Sequence, residues 1–402
     1  MFNTRLKTHH SAMADGGKYL LGPRNLVDML QQKDQKNQEV ATIYIHVPFC
    51  SKICSFCNMR RSLQQPHAQY ADWIVKEIKN YGSQPLCQDM IIDAVYFGGG
   101  TPTTLPTEDL RKILRALKDN FRFTDTVEIT IETTVTELSE DKILMFEQEG
   151  VNRFSVGVQT FHENGRKGMN RVGTGANAYN KLAFLKKAGF ATISMDLIYN
   201  YAGQTMEDLS EDLKKMVSLE LDGFSMYSLI NMKEAKMEEA QGIDNDERMF
   251  FHIAETMGKE GYRFLELTKM VRKDQYKYIM NRHRGADTLP LGAGAGGSVS
   301  GLGIMNPINL SEYQDSVSNF FNRKGMLMSE AYKNNVIFKG DLQTGYLPRN
   351  ISLYQDKEAY EDMLYKLIKE NYVINDGLDY RLTQKGIFWG NTISRELAAL
   401  TE

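Results

Sequence analysis

Cysteine, tryptophan and proline are scarce here: four, two and nine residues in a chain of 402. Four cysteines in so long a chain cannot be a disulfide framework, because small secreted domains are the ones that need such staples. Neither sign of charge dominates. Lys and Arg number 48 against 51 Asp and Glu, with no basic stripe, so there is no electrostatic footprint for nucleic acid. No apolar run approaches the ~20 residues of a membrane helix. The opening, MFNTRLKTHHSAMADGGKYL, lacks the apolar centre of a secretory signal. These absences predict a soluble, cytoplasmic protein with neither a membrane nor a nucleic-acid partner. The length suits roughly two to three domains.

Residues 1–40 are polar and read as an extension with one short helix around Arg24–Gln31. From Ala41, β-branched runs alternate with stretches of helical period. The strands expected are Ile43–Val47, Met90–Phe97, Val127–Glu132, Arg153–Val158, Thr192–Ile198 and Gly223–Leu229. Between them Tyr70–Tyr81, Glu108–Phe121, Glu140–Glu149, Asn177–Lys187 and Met206–Leu219 read as helices, the last opened by Thr205 and Asp208 in a capping pattern. Strands alternating with helices imply a parallel sheet with right-handed crossovers. Six such repeats fall short of the eight of a closed barrel, so the fold class expected is α/β, a partial (β/α)6 TIM-like barrel. Its functional residues belong at the C-terminal ends of the strands. Residues 41–230 form this core and 231–350 a connection and substrate-side region, with a charged stretch from Lys233 to Asp246 and a helix at Glu247–Glu260. Residues 351–402 form a smaller, mainly helical C-terminal domain.

Three of the four cysteines crowd into one loop after the first strand, as Cys50, Cys54 and Cys57 in C-x3-C-x2-C spacing. Thiols clustered in a reducing compartment point to metal or redox chemistry. Three thiolates can hold three irons of a [4Fe–4S] cluster and leave the fourth iron open. A structural zinc site wants a fourth ligand that the neighbourhood does not supply, and three unrelated buried thiols sit poorly in a polar loop. Cys87 stands apart. His46 precedes the loop in the first strand, where a hydrogen bond to a neighbour is the bland reading.

Five segments extend the pattern: Tyr44–Cys50 (YIHVPFC), Phe97–Thr103 (FGGGTPT), Ser155–Phe161 (SVGVQTF), Asp196–Tyr199 (DLIY) and Leu382–Gly386 (LTQKG). With the cysteine loop they resemble the radical S-adenosylmethionine (SAM) superfamily, in its oxygen-independent coproporphyrinogen III dehydrogenase-like branch. The resemblance runs from about Ala41 to Ala399. It implies that Cys50, Cys54 and Cys57 hold a [4Fe–4S] cluster whose open iron chelates S-adenosylmethionine, cleaved on reduction to a 5′-deoxyadenosyl radical. It further implies that Gly99, Gly100 and Thr101, after the second strand, approach the methionine end, where glycine lets backbone come close. Glu132, Gln159, Arg171 and Asp196 contact S-adenosylmethionine by the same resemblance, Tyr44 and Phe56 pack on its adenine and near the cluster, and Ile198 lines an adenosine pocket. A second S-adenosylmethionine is implied beside the first, with a flavodoxin or ferredoxin-type electron donor. The competing reading of Glu132 and Arg171 is a buried salt bridge between the two.

The departures narrow the branch. Its dehydrogenases carry a fourth cysteine where this chain has Met59. Its haem chaperones carry an H-N-x-x-Y-W signature before an Arg-Gly pair, which the stretch Tyr278–Gly285 lacks. His283 within it is a candidate haem ligand, or a surface or hydrogen-bonded histidine. Asn200–Ala202 replaces the more usual Gly-Leu-Pro. Asp287–Gly297 (DTLPLGAGAGG) is similar to the haem-utilisation members, which act as class C radical methyltransferases and open haem to a linear tetrapyrrole with release of iron. The substrate implied is haem or a related tetrapyrrole; the other readings are a haem-carrying chaperone, a class C methyltransferase of another aromatic, or a coproporphyrinogen dehydrogenase. The glycine-dense run itself either lies flat against a planar ligand or is a close-packed strand crossing.

Overall fold

The computed structural model describes residues 1–7, 19–31, 40–57, 61–230, 238–348 and 356–401; Met59, Lys233 and Ser352 lie outside them. The N-terminal part contributes a strand that the sequence pattern does not betray, β1 (Leu20–Asn25), before a helix at Leu26–Leu30. That helix starts later than expected because the Asn25 carboxamide accepts from the Val27 and Asp28 N–H groups and so fixes Asn25 as the N-cap.

The six expected strands are β2 (Ala41–Val47), β3 (Ile91–Gly99), β4 (Arg122–Thr134), β5 (Arg153–Gln159), β6 (Thr192–Tyr199) and β7 (Gly223–Ser228). They pair in parallel and in chain order. The crossovers use the predicted helices, observed as Tyr70–Gly82, Thr107–Asn120, Glu140–Gln148, Gly175–Ala188 and Met206–Ser218. Thr205 and Asp208 complete a capping box at the last of these.

Strand alternation sorts the side chains into two populations. Ile43, Ile45, Val95, Phe97, Ile129, Ile131, Phe154, Val156, Ile193, Met195 and Phe224 face outward into the main apolar core with the helices. Tyr44, Ala94 and Tyr96 belong to a separate aromatic cluster inside the barrel, with Tyr276 and Tyr278.

Beyond β7 the chain forms a longer helix than expected, Ile243–Lys259, then β8 (Arg263–Glu266) and β9 (Lys269–Val271), antiparallel beside β7. A helix at Lys277–His283 then leads to β10 (Thr288–Leu291), which pairs parallel with β2 in the register Thr288↔Thr42 to Leu291↔Ile45. The sheet therefore carries a seventh parallel strand where six were expected. Four residues are too short to show a period, and the glycines that follow hide the strand. Antiparallel β11 (Gly296–Val299), β12 (Leu302–Met305) and β13 (Lys324–Met328) continue to β1, and the described residues make a 13-stranded sheet. The glycine-dense run is thus a close strand crossing. A Cβ at Gly297 would collide with the Thr288 carbonyl oxygen.

The tail has helices at Lys357–Lys369, Gln384–Phe388 and Gly390–Ala399, interrupted by a hairpin of β14 (Val373–Asn375) and β15 (Tyr380–Leu382). The N-terminal residues dock on it and on the helix Ile243–Lys259: the Arg5 guanidinium lies 4.0 Å from the Phe388 ring centroid, and its Nη1 lies 2.8 Å from Asp246 Oδ2.

Candidate active site at the barrel mouth

Two polar layers fill the barrel. The lower one is a floor of buried charge. Arg153, at the start of β5, makes a bidentate pair with Asp274, both bonds 2.9 Å, and Lys269 lies 3.1 Å from the same carboxylate. Lys269 also donates to Ser194 Oγ at 2.6 Å, and the Tyr276 N–H donates to Asp274 Oδ1 at 3.0 Å. Two cations hold the Asp274 carboxyl far below the ordinary carboxylate range. The segment Asp274–Tyr278 closes the lower end.

Above the floor lies the aromatic layer. Tyr96 stacks on Tyr278 at 4.8 Å between ring centroids, and Tyr44 stacks on Tyr278 at 6.0 Å and on Tyr96 at 6.3 Å. Burial in protein drives all three phenols upward in pKa. Glu132 and Asp196 project from β4 and β6 above this layer. Burial first, and the Asp196 charge second, push the Glu132 carboxyl up to about 8, against hydrogen bonds from the Gly99 N–H and the Tyr96 hydroxyl. Asp196 is raised by burial too, opposed by Lys269 and by a hydrogen bond from Ser225. Glu132 and Asp196 are only half-buried, and Tyr227, on β7 beside Asp196, is 43 % exposed although protein surrounds its ring. Their accessible surface is that of an internal chamber.

Gly98 and Gly99 make room for it. A Cβ on Gly98 would lie 2.8 Å from Glu132 Oε2 and 2.9 Å from the Tyr96 ring; on Gly99, at φ 112°, it would strike the His46 imidazole. His46 is buried and hydrogen-bonds the Tyr44 hydroxyl at 3.0 Å.

The cysteine loop forms the rim. Thr101 N–H donates to the Phe49 carbonyl and Gly100 N–H to that of Val47, both at 2.8 Å, tying the glycine turn to the strand that leads into Cys50. A side chain at Gly100 would sit 2.5 Å from Phe49 O and 3.0 Å from Cys50 Sγ. On the far side Ser55 N–H donates to Met169 O, and Asn170 Nδ2 to Ile53 O. Arg171 Nη1 lies 3.0 Å from Cys54 Sγ and Nη2 donates to the Gly157 carbonyl, while Nε is buried without a partner. The competing reading, a salt bridge between Arg171 and Glu132, is not formed. Phe56 and Ile198 meet in one small apolar cluster with Met169, Tyr201 and Leu229. Gln159 ends β5 in a left-handed conformation, φ 76°, a backbone strain that residues at ligand sites often carry.

Cys50, Cys54 and Cys57 are half-buried at this rim; Cys87 is in the core, its thiol pushed up to about 12 by burial. Among the described residues no three His, Cys, Asp or Glu side chains converge as they would on one metal ion. A cubane spreads its thiolates over separate irons, so this donor set, with a guanidinium against one sulfur and glycine against another, fits a cluster rather than a single ion. His283 is not turned to the chamber as a free imidazole; its Nε2 lies 2.7 Å from Glu266 Oε1. Asn200, at φ 63°, adopts the backbone a glycine would there, so the Asn200–Ala202 departure leaves the turn intact. A cleft of about 700 Å³ on the outer helical face, lined by His162, Asp208 and Asp212 among others, holds none of the predicted site residues.

Sequence reasoning missed Tyr96, Tyr227, Tyr276, Tyr278 and the floor. The two strand tyrosines share the parity of Asp196 and Tyr44 on their strands, and that alternation was the available signal.

Residues 44–216 match the Radical SAM superfamily. The chain is 29% identical over 377 residues to anaerobilin synthase of Escherichia coli O157:H7, covering 90% of this chain and 84% of that one. It is 27% identical over 375 residues to the haem chaperone HemW of Lactococcus lactis, covering 89% and 97%. The solved coproporphyrinogen III oxidase (HemN) of Escherichia coli, a radical SAM enzyme, superposes with a TM-score of 0.76 at 23% identity over 92% of this chain and 93% of that one, which establishes the shared fold. Radical SAM proteins use a [4Fe–4S] cluster and S-adenosylmethionine.

Proposed function

We propose that this chain, which belongs to the radical SAM superfamily in the branch of these relatives, is a class C-type methyltransferase that opens haem to a linear tetrapyrrole and releases iron. The observation that carries this reading is the stacked tyrosine layer inside the barrel, beneath a rim of three half-buried thiols. A flat aromatic wall suits a flat macrocycle, because offset stacking adds to area burial. The similarity to anaerobilin synthase over most of both chains supports the same choice.

In this reading Cys50, Cys54 and Cys57 hold the cluster, which when reduced cleaves S-adenosylmethionine to a carbon radical. Gly99, Gly100 and Thr101 offer backbone to the methionine end. Arg171, already against Cys54, takes a carboxylate with its unused Nε. Glu132, Gln159 and Asp196 accept from ammonium or ribose groups of two S-adenosylmethionine molecules, and Tyr44, Phe56 and Ile198 pack on the adenines. A buried acid raised to about 8 gives up its proton once a sulfonium or ammonium cation lies beside it, so Glu132 is matched to a cationic ligand. Water is excluded below by the Arg153–Asp274–Lys269 floor. A flavodoxin or ferredoxin-type protein supplies the electron.

The test is anaerobic turnover with a reductant, haem and S-adenosylmethionine deuterated in its methyl group. The expected products are S-adenosylhomocysteine, deuterated 5′-deoxyadenosine and a methylated, ring-opened tetrapyrrole. Haem returned unchanged would make the protein a carrier, as its similarity to HemW allows. Turnover with unlabelled 5′-deoxyadenosine would overturn methyl activation.

A further inference from the structure

Two arginines reach the barrel's aromatic interior, and they are treated very differently. Arg153 is locked in a bidentate pair with Asp274. Arg282, on the helix Lys277–His283, has no carboxylate within ion-pair distance among the described residues. Its Nη1 makes one long hydrogen bond, 3.4 Å, to the Tyr278 hydroxyl, and its guanidinium lies 5.5 Å from the Tyr278 ring centroid. Its titratable neighbours are the uncharged phenols of Tyr278, Tyr276 and Tyr44. Tyr44 has both Glu132 and Arg282 among its charged neighbours. The Arg282 side chain is solvent-exposed although protein surrounds it, which puts its exposed surface in the chamber.

A guanidinium has five N–H donors in a fixed fork. Here most are uncommitted, and no carboxylate among the described residues pairs with the charge, so an anion would find the fork open. The fork matches a carboxylate, and the Tyr278 ring beside it, stacked in turn on Tyr96 and Tyr44, matches a plane. We propose that Arg282 reads a carboxylate at the edge of a flat aromatic substrate laid on the Tyr44–Tyr96–Tyr278 layer; this rests on the tetrapyrrole reading above, where the carboxylate is a propionate. Arg282 is thus a specificity-determining residue that orients the macrocycle beneath the cysteine rim.

The experiment uses the full chain, anaerobically reconstituted, titrated by absorbance with haem and with haem dimethyl ester, in which both propionates are capped. Wild type is expected to bind the free acid about tenfold more tightly than the ester, the size of one charge-assisted hydrogen-bonded pair. Arg282→Gln should lose that preference while keeping its affinity for the ester, and Arg282→Lys should recover part of it. Iron content and S-adenosylmethionine affinity should be unchanged in both. Equal binding of acid and ester by wild type overturns the proposal and leaves the tetrapyrrole reading standing, with no variant needed. Loss of S-adenosylmethionine affinity in Arg282→Gln overturns it as well, by assigning the arginine to that ligand's own carboxylate. Failure of wild type to bind either porphyrin overturns the tetrapyrrole reading and this inference with it.

Discussion

Replacing Glu132 by Gln removes a titration while nearly preserving shape and the acceptor for the Gly99 N–H. In the folded, ligand-free chain the Glu132 carboxyl titrates at about 8, against an ordinary 4.5, through burial and the neighbouring Asp196. Its folded pKa is raised, so the folded state binds the proton that the unfolded state has already released. Stability is therefore undiminished below pH 4.5 and falls as the pH climbs toward 8. A tenfold change in proton affinity is worth ~1.4 kcal/mol, so the full loss is at most about 5 kcal/mol. One side of the carboxyl faces the solvent-accessible chamber, and screening there brings the expected loss to about 2–3 kcal/mol. Urea unfolding of wild type and Glu132→Gln at pH 5, 6.5 and 8.5 reads it directly. The two should nearly coincide at pH 5, and the variant should be the more stable by about 2–3 kcal/mol at pH 8.5. A gap independent of pH, or none at pH 8.5, refutes the argument that its surroundings and Asp196 raise the Glu132 carboxyl. The same reasoning gives a second readout. If a cationic ligand settles beside Glu132, binding at pH 7 releases a proton, visible as a dependence of the calorimetric heat on the buffer.

Gly100→Ala forces a Cβ against Phe49 O and Cys50 Sγ; overpacking of this kind costs about 1–3 kcal/mol, and reconstituted iron and sulfide should fall well below wild type, while Cys87→Ala, altering a core thiol, should keep both. Asp274→Ala leaves Arg153 and Lys269 facing each other without their shared anion and should lower stability by about 3–5 kcal/mol in chemical unfolding; a loss below 1 kcal/mol would show that the floor relaxes or admits water. Arg171→Lys keeps the charge but not the fork and should weaken S-adenosylmethionine binding about tenfold by equilibrium dialysis; unchanged binding removes Arg171 from the cofactor site.

What the sequence made legible was whatever repeats locally. The strands β2 to β7 announce themselves because each is a short run bounded by turn residues, and the crossovers because their apolar faces recur at helical spacing. The cysteine loop and the glycine turn are legible for a similar reason: their chemistry is packed into a few consecutive residues. The parts that failed share one property, that their partners are distant in the chain. Strand β10 has only four residues and exists because Leu289 and Leu291 find Ile43 and Ile45 across some 245 positions. The floor needs Arg153 to meet Asp274 across 121 positions, and neither residue carries a local sign of it.

The aromatic layer shows where the boundary between the two lies. Tyr44 lies within a recognisable motif, while Tyr96, two residues before the glycine turn, lies in none. Both occupy inward positions of adjacent strands and face each other in register. Parity along each strand therefore held the information, provided that the inside of the barrel was recognised as polar and the outside as the apolar core. A polar residue such as Asp196 in an apolar run is the marker of that parity, and counting in twos from it along β6 gives Ser194 and Ile198, lining positions of the same face. Tyr276, Tyr278 and Arg282 remain beyond such counting, since they come from the helix Lys277–His283 and its N-cap rather than from a strand. On the proposed reading, the features that select a substrate rest on the least regular part of the chain, and those that hold the cofactors on the most regular. A relative can keep every cofactor motif and still differ in what it binds, and Arg282 is the side chain at which that difference is open to measurement.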